Sequence, residues 1–175
     1  MHDDSQLARF EQAILPHLDA AYNLARWLTR RDQDAEDVVQ EAYLRAFQFF
    51  GSFRGGDGRT WLLAIVRNTC YTWLQKNRTP EQTVTFEEEK HGLNLAEHGP
   101  EVHLLQTEDT ELLHDALREL PAEFREVVVL RELEELSYKE IASTAGIPVG
   151  TVMSRLARGR ERLQVILSRR VKKEP

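Results

Sequence analysis

The sequence is poor in the features that mark secreted, membrane-bound or disulfide-stabilised proteins. Its 175 residues include one cysteine, Cys70, so no disulfide can form within the chain. That composition suits a reducing compartment. The longest aliphatic run, VVVL at 127–130, is far too short to cross a bilayer. The first residues, MHDD, are acidic and lack the apolar segment of a signal peptide. We therefore expect a soluble, cytoplasmic protein.

Signatures of catalysis and of metal binding are also missing. The glycine-rich stretch RGGDG (54–58) lacks the GKS or GKT ending of a phosphate-binding loop, and no strand pattern precedes it. His91, His98 and His103 do not have the spacing of a zinc site. No nucleophile and base stand in a recognisable pattern. The sequence therefore predicts a protein that is not an enzyme and that binds no cofactor or metal.

The net charge of −6 is distributed unevenly along the chain. Residues 1–80 contain 10 basic and 10 acidic residues, 81–120 contain 2 and 11, and 121–175 contain 11 and 8. Within the last part, 149–175 has a net charge of +6. Because nucleic acids respond to local rather than overall charge, the acidic total does not exclude a DNA-binding surface.

The acidic middle of the chain differs in kind from its flanks. Residues 80–111 contain two prolines, two glycines and a triple glutamate, without a sustained period, which is typical of a linker. On both sides, apolar residues recur at spacings of three and four, and no alternating strand pattern occurs. We therefore predict an all-α protein with two small helical domains, 1–79 and 112–175, joined by a flexible acidic linker.

The second domain contains a helix-turn-helix pattern. Ser137 and Glu140 fit a capping box, Gly146 can adopt a left-handed turn, and Pro148 suits the start of the next helix. From about Val149 that helix has an apolar face, made of Val152, Leu156, Gly159, Leu163 and Ile166. Its other face is polar and carries Thr151, Ser154, Arg155, Arg158 and Arg162.

The first turns of a helix that lies in the major groove are nearest to the base edges. Thr151, Ser154 and Arg155 would therefore reach bases or phosphates, and Arg158 and Arg162 would hold phosphates. A solvated amphipathic helix in a three-helix bundle is the alternative. The capping box, the small-residue corner and the one-sided arginines together favour DNA.

The first domain contains two informative helices. The predicted helix over 34–50 has an apolar stripe and a second, acidic stripe that contains Asp37, Gln40, Glu41 and Leu44. Periodicity alone favours a solvated face as the explanation of the acidic stripe. From about Arg59 to Asn77 there are cations but no acidic residue, and Tyr71 and Trp73 stand among them. Cations with aromatic rings suit single-stranded nucleic acid. Trp61 alone is explained better as a core residue.

Four stretches in this order carry a resemblance to a known family: DAEDVVQEAYLRAF, FRGGDGRTWLLAIVRN, LPAEFREVVVLRELEELSYKEIA and IPVGTVMSRLARGRERL. They resemble sigma factors of the bacterial sigma-70 family, in the extracytoplasmic function (ECF, group IV) subfamily. The match covers nearly the whole chain outside the linker. The first domain is similar to sigma region 2, and the second is similar to region 4.

The resemblance implies a role for each surface. The stripe of Asp37, Gln40, Glu41 and Leu44 would dock on the clamp of the largest subunit of core RNA polymerase. The −10 promoter DNA would be recognised and melted by Arg54, Gly55, Gly56, Asp57, Trp61, Arg67, Asn68 and Tyr71. The −35 duplex would be bound by Thr151, Ser154, Arg155, Arg158 and Arg162. Such factors commonly bind an anti-sigma protein, so one is expected here.

Three positions depart from the usual pattern of the family. Thr72 stands where many relatives have Asp, and Met153 stands where Lys or Arg is frequent, so the DNA contacts at these two positions are expected to differ from those of the family. Glu135 replaces a common Gly, and a left-handed backbone there would cost about 1 kcal/mol. A helix-turn-helix repressor or response-regulator output domain is the rival interpretation, but it leaves the stretches of the first domain unexplained. An enzyme or adaptor is a further rival.

Overall fold

The computed structural model describes residues 2–77 and 108–173, and within these ranges the chain forms helices and no strand. The all-α prediction is confirmed. The first domain consists of α1 (His2–Ile14), α2 (Leu18–Thr29), α3 (Asp32–Gln48) and α4 (Gly58–Asn77), with short 3₁₀ turns at Leu15–His17 and Phe50–Ser52. The second consists of α5 (Glu108–Glu119), α6 (Ala122–Val128), a π-helical turn (Val129–Leu133), α7 (Tyr138–Ala145) and α8 (Val149–Lys173).

The start of α5 differs from the sequence prediction. The predicted linker extends to residue 111, whereas the helix begins at Glu108. Glu111 lies near its amino terminus, where negative charge is favoured by the helix dipole. The same acidic composition that indicates a linker therefore also suits a helix amino terminus. The remaining linker residues and the three histidines lie outside the described part of the chain.

The core of the first domain is built around one aromatic ring. Phe10 is fully buried, and its ring centroid lies 5.0 Å from that of Tyr43 and 5.3 Å from those of Phe47 and Phe50, all edge-on. Edge-to-face contacts of this kind are favourable beyond simple burial. A Cβ on Gly58 would lie 2.5 Å from the carbonyl oxygen of Ala13. A glycine is therefore required where α4 begins against the end of α1.

The second domain is closed by the long helix α8. Val152 and Leu156 are buried on its inner face together with Ile141 of α7, as the periodicity predicts. A Cβ on Gly159 would lie 2.9 Å from Cγ2 of Val128, so α8 crosses α6 at close range. This crossing leaves the opposite face of α8 on the surface.

The helix-turn-helix corner has the predicted local chemistry. Both halves of the capping box are present: Glu140 N donates to Ser137 Oγ at 3.1 Å, and Ser137 N donates to Glu140 Oε1 at 2.9 Å. Gly146 ends α7 in a left-handed conformation, with φ 69°. The next helix begins at Val149. The prediction of this corner is confirmed.

The two domains pack directly against each other, which the linker interpretation did not anticipate. Helix α4 contacts α7, and α2 contacts α6. Two consecutive charged residues of α6, Arg125 and Glu126, are buried between the domains. Arg125 donates to the carbonyl oxygens of Leu120 at 2.8 Å and Leu28 at 3.3 Å. It therefore joins residues at the carboxyl ends of α5 and α2, where partial negative charge is available.

We predict that Glu135→Gly stabilises the protein. Glu135 has φ 56°, a left-handed conformation that is costly for a residue with a Cβ and easy for glycine. The free energy of unfolding is expected to rise by about 0.5–1 kcal/mol in urea denaturation, because relief of strain outweighs the added freedom of the unfolded chain. Glu135→Ala is the matched control, since it removes the side chain and keeps the strain. An equal gain in Glu135→Ala would contradict the explanation.

Candidate polymerase and nucleic-acid interfaces

The outer face of α3 presents the predicted acidic stripe. Asp37, Gln40, Glu41 and Leu44 are all exposed, and 65% of Leu44 is accessible. The opposite face, with Ala35, Val38, Ala42 and Ala46, is buried in the first domain. A rigid helix therefore presents carboxylates beside an exposed apolar side chain, a combination that suits a protein partner with a basic, partly apolar surface.

Sequence reasoning missed two exposed aromatic residues at the carboxyl end of α3. Phe47 is 41% exposed and Phe49 is 60% exposed. Phe47 follows Leu44 by three positions, so the two lie on the same side of α3. The spacing of three could have placed Phe47 on this face from the sequence. Spacing alone, however, does not distinguish an exposed aromatic residue from one in the core. Leu44 and Phe47 therefore present two exposed apolar side chains near the carboxyl end of the acidic stripe, and Phe49 follows directly after the helix.

The RGGDG loop is held in place by its aspartate. Asp57 Oδ1 accepts hydrogen bonds from the backbone N–H groups of Arg59 at 3.1 Å and Thr60 at 3.3 Å, and Oδ2 accepts one from the Thr60 hydroxyl. The hydrogen bond from the Thr60 side chain is the main cause that lowers the pKa of Asp57, against the opposing effect of burial. The residue is therefore an N-cap for α4. Gly55 and Gly56 have φ 86° and 89°, and they form an exposed turn before it.

Trp61 lies beside this loop in an aromatic cluster. Its ring centroid is 5.2 Å from that of Phe53 and 6.2 Å from that of Phe50. The side chain is half-buried, so the core interpretation accounts for one part of the ring, and another part remains accessible. Of the other residues predicted to meet the −10 DNA in this loop, Arg54, Gly55, Gly56 and Asp57 are exposed.

Three further predicted −10 residues form one connected group on α4. The Arg67 guanidinium lies 4.2 Å from the Tyr71 ring centroid, and Arg67 Nη1 donates to Asn68 Oδ1 at 3.3 Å. Arg67 Nε and the Tyr71 hydroxyl both donate to the carboxylate of Glu126 in the second domain, the latter at 2.8 Å. In this structure the group therefore faces α6. Burial, followed by the charge of Glu126, raises the pKa of Tyr71 well above its ordinary value.

Cys70 is fully buried on the same helix. Burial is the main cause that raises the pKa of its thiol to about 12, and the negative charge of Glu126 adds to the shift. Because the thiolate is the reactive form, this thiol is inert at neutral pH. The cysteine is a packing residue of the first domain.

The first turns of α8 present the predicted −35 residues. Ser154 and Arg158 are exposed, and Thr151 and Arg155 are half-buried. Met153 is 54% exposed beside them, so an apolar side chain lies on the otherwise polar face. Arg162 has a structural contact as well, because its guanidinium lies 4.8 Å from the Phe124 ring centroid and so ties α8 to α6.

In residues 2–77 and 108–173, no three His, Cys, Asp or Glu residues stand close enough together to hold a metal ion. Nor does any helix there combine the length and the apolar character that a membrane span needs.

We predict that Asp57→Ala lowers the free energy of unfolding by about 1 kcal/mol at pH 7, as expected for loss of an N-cap. Because the folded-state pKa is lowered, the contribution is complete above the ordinary value of 3.8 and is lost as the pH falls through the folded value. Urea denaturation between pH 7 and pH 3 checks this, and the two proteins should converge at the acidic end. Asp57→Asn keeps an acceptor oxygen and should lose less; an equal loss at pH 7 would argue against the capping role.

Comparison with known proteins identifies both domains. Family models described as "Sigma-70 region 2" and "Sigma-70, region 4" match residues 13–79 and 110–163. The RNA polymerase sigma-H factor of Pseudomonas aeruginosa is 38% identical over 90% of this chain and 86% of its own length. The ECF RNA polymerase sigma-E factor of Escherichia coli K12 is 39% identical over 73% of this chain and 71% of its own length.

Solved structures extend the likeness to three dimensions. The sigma factor RpoE of Bartonella quintana, solved with the anti-sigma factor NepR, aligns with a TM-score of 0.72 and 29% identity over 91% of this chain and 97% of its own. CnrH, solved with the cytosolic domain of CnrY, aligns with a TM-score of 0.62 and 25% identity over 91% and 87%. The family models, the relatives and the fold agree: the chain belongs to the sigma-70 family of RNA polymerase sigma factors, in the ECF group, whose members are transcription initiation factors and not enzymes.

Proposed function

We propose a residue-level division of labour for this sigma factor. The face of α3 with Asp37, Gln40, Glu41 and Leu44 docks on the clamp of the largest subunit of core RNA polymerase. The start of α8 binds the −35 duplex, and the RGGDG loop with α4 captures and opens the −10 element. The observation that carries this proposal is that both family regions lie in one chain, each with an exposed surface of the required chemistry.

The chemistry of the first domain supports capture of unpaired DNA. Opening a duplex costs about 1–2 kcal/mol per base-pair step in lost stacking and pairing. The half-buried Trp61 and the cation–aromatic pair of Arg67 and Tyr71 can stack on exposed bases and hold phosphates, which offsets part of that cost. Docking on the polymerase supplies the remaining free energy that duplex opening needs, because it orders both domains on the same promoter.

The chemistry of the second domain supports duplex binding. The capping box and the left-handed Gly146 fix the angle at which α8 leaves α7, and the buried Val152 and Leu156 fix its rotation. The polar side chains therefore project together from a rigid support. Arg155 and Arg158 are suited to phosphates or guanine edges, and Thr151 and Ser154 to hydrogen bonds with either.

The place of action and the regulation complete the proposal. The factor acts in the cytoplasm, where core polymerase meets the chromosome, and directs it to a stress or envelope-response regulon. A cognate anti-sigma protein holds it inactive. The support is that RpoE of Bartonella quintana, which resembles this chain over both domains, was solved with the anti-sigma factor NepR. CnrH, which also resembles it, was solved with the cytosolic domain of CnrY.

Reconstitution with core RNA polymerase tests the function as a whole. The chain and core polymerase are incubated with a library of genomic promoters, and unpaired thymines are mapped with permanganate. Opened −10 regions in part of the library are expected. Absence of opening on every promoter, together with absence of core binding, would overturn the proposal.

We predict that Leu44→Asp weakens the affinity for core polymerase by tenfold or more, about 1.4 kcal/mol, because a carboxylate replaces the apolar centre of the docking face. Binding is measured by fluorescence anisotropy of the labelled chain. Leu7→Asp, an equivalent change at an exposed leucine of α1, is the control and should bind normally. Equal losses in the two variants would mean that α3 is not the docking surface.

We predict that Arg155→Ala reduces −35-dependent initiation about 5- to 150-fold, the equivalent of about 1–3 kcal/mol for one major DNA contact. Binding to core polymerase should be unchanged. Arg160→Ala is the matched control, because Arg160 lies on the same helix but pairs with Glu132 through Nη2 at 2.6 Å. Initiation is measured by transcript yield with intact and scrambled −35 elements. Loss of core binding in Arg155→Ala would remove the role assigned to the residue.

A further inference from the structure

The contact between the domains uses side chains that the proposed function assigns to DNA. Glu126 of α6 is completely buried. One of its carboxylate oxygens accepts a hydrogen bond from Arg67 Nε, and the other accepts one from the Tyr71 hydroxyl at 2.8 Å. Both oxygens are therefore bound by the first domain.

The arrangement of these donors is one that also binds phosphate. A guanidinium and a hydroxyl that converge on two oxygens of a carboxylate can bind two oxygens of a phosphodiester in the same way. Asn68 adjoins the site through its contact with Arg67. A DNA strand cannot enter this site while Glu126 fills it, so the carboxylate and a phosphate are mutually exclusive occupants.

A second set of contacts covers the other end of the proposed −10 surface. Arg59, which follows the RGGDG loop, lies 3.6 Å from Glu140 and donates to the carbonyl oxygen of Glu134 at 3.4 Å. The Asn23 amide lies 3.5 Å from Glu134 Oε1. These contacts are long and at the edge of the interface. The second domain also contacts the first through Arg125, which donates to the Leu28 carbonyl oxygen, and through the ring of His114, which lies edge-on to Trp27. The contact at Glu126 is the short, buried one.

The energetics of the Glu126 contact suit a reversible closure. A buried ion pair gains Coulomb energy but loses hydration, so its net stability relative to separated, hydrated partners is small. Separation of the domains returns Glu126, Arg67 and Tyr71 to water together and leaves none of them buried without a partner. Such a contact can hold the domains closed and still give way when polymerase binds them apart.

We propose that Glu126 acts as an internal mimic of a DNA phosphate, which closes the second domain over the −10 site of the free factor and keeps DNA out until core polymerase separates the domains. This inference rests on the proposed function, because it takes Arg67 and Tyr71 as DNA contacts. It adds a regulation of that site by the chain itself. The same closure leaves the −35 face of α8 on the surface, so the block concerns the −10 site.

The test compares Glu126→Gln with Glu123→Gln in the full-length chain without polymerase. Glu123 is exposed on the same helix, so it controls for the loss of one negative charge. The probe is a labelled, mixed-sequence single strand of about 12 nucleotides, within the usual site size of single-strand binders. Glu126→Gln is expected to bind about tenfold more tightly than the wild type, because a larger fraction of molecules is open. Glu123→Gln should bind like the wild type.

A double variant tests whether the tighter binding of the single strand depends on Arg67. Arg67→Ala placed in Glu126→Gln should abolish the tighter binding, since the released site depends on that guanidinium. Tighter binding that persists without Arg67, or an unchanged affinity in folded Glu126→Gln, overturns the proposal. Thermal unfolding by circular dichroism checks that the variants are folded.

A reversible cross-link tests closure independently of Glu126. Asn23→Cys and Glu134→Cys are combined in a Cys70→Ala background and joined by a short disulfide-containing bismaleimide. The linked chain should lose binding to the single strand, and reductant should restore it; equal binding by the linked and reduced forms overturns the proposal. Core binding and promoter opening by the reduced chain test the proposed function separately. The proposed function and the proposed closure can therefore fail independently.

Discussion

The arrangement of the molecule depends on two consecutive charges of α6 that are buried between its domains. Arg125 donates to main-chain oxygens of both domains, and Glu126 binds Arg67 and Tyr71. Burial, with the nearby positive charge of Arg30, lowers the pKa of Arg125 to about 9, so the residue remains charged at neutral pH. Charges so fully buried are tolerated only where they are paired or hydrogen-bonded.

These contacts connect the stability of the fold to its function. In most proteins a pair of small helical domains joined by a long linker has little reason to adopt one relative placement. Here Arg125 and Glu126 specify the placement. Arg125 is bound to the carboxyl ends of two helices, and Glu126 is bound to Arg67 and Tyr71. Since the first-domain partners of Glu126 belong to the surface proposed for DNA, the interaction that orders the domains is also one that DNA must replace.

Rigid support explains why the remaining surfaces are well defined. Asp57 fixes the loop before α4, Gly58 and Gly159 allow helices to cross at distances that a Cβ would prevent, and the capping box with Gly146 sets the corner before α8. Each device is local and short-range. Together they hold the acidic face of α3, the aromatic cluster beside the RGGDG loop and the basic face of α8 on rigid supports.

Short-range patterns in the sequence predict the helical class, the helix-turn-helix corner and the polar faces of α3 and α8, because periodicity, caps and glycine positions are encoded over a few neighbouring residues. The roles of Arg125 and Glu126, by contrast, follow from the packing of the two domains alone. In the sequence, Arg125 and Glu126 are two ordinary charges beside an apolar run, and their partners in the first domain lie 55 to 97 positions away. Local patterns do not specify which distant groups meet, because that choice is made when the two cores pack together.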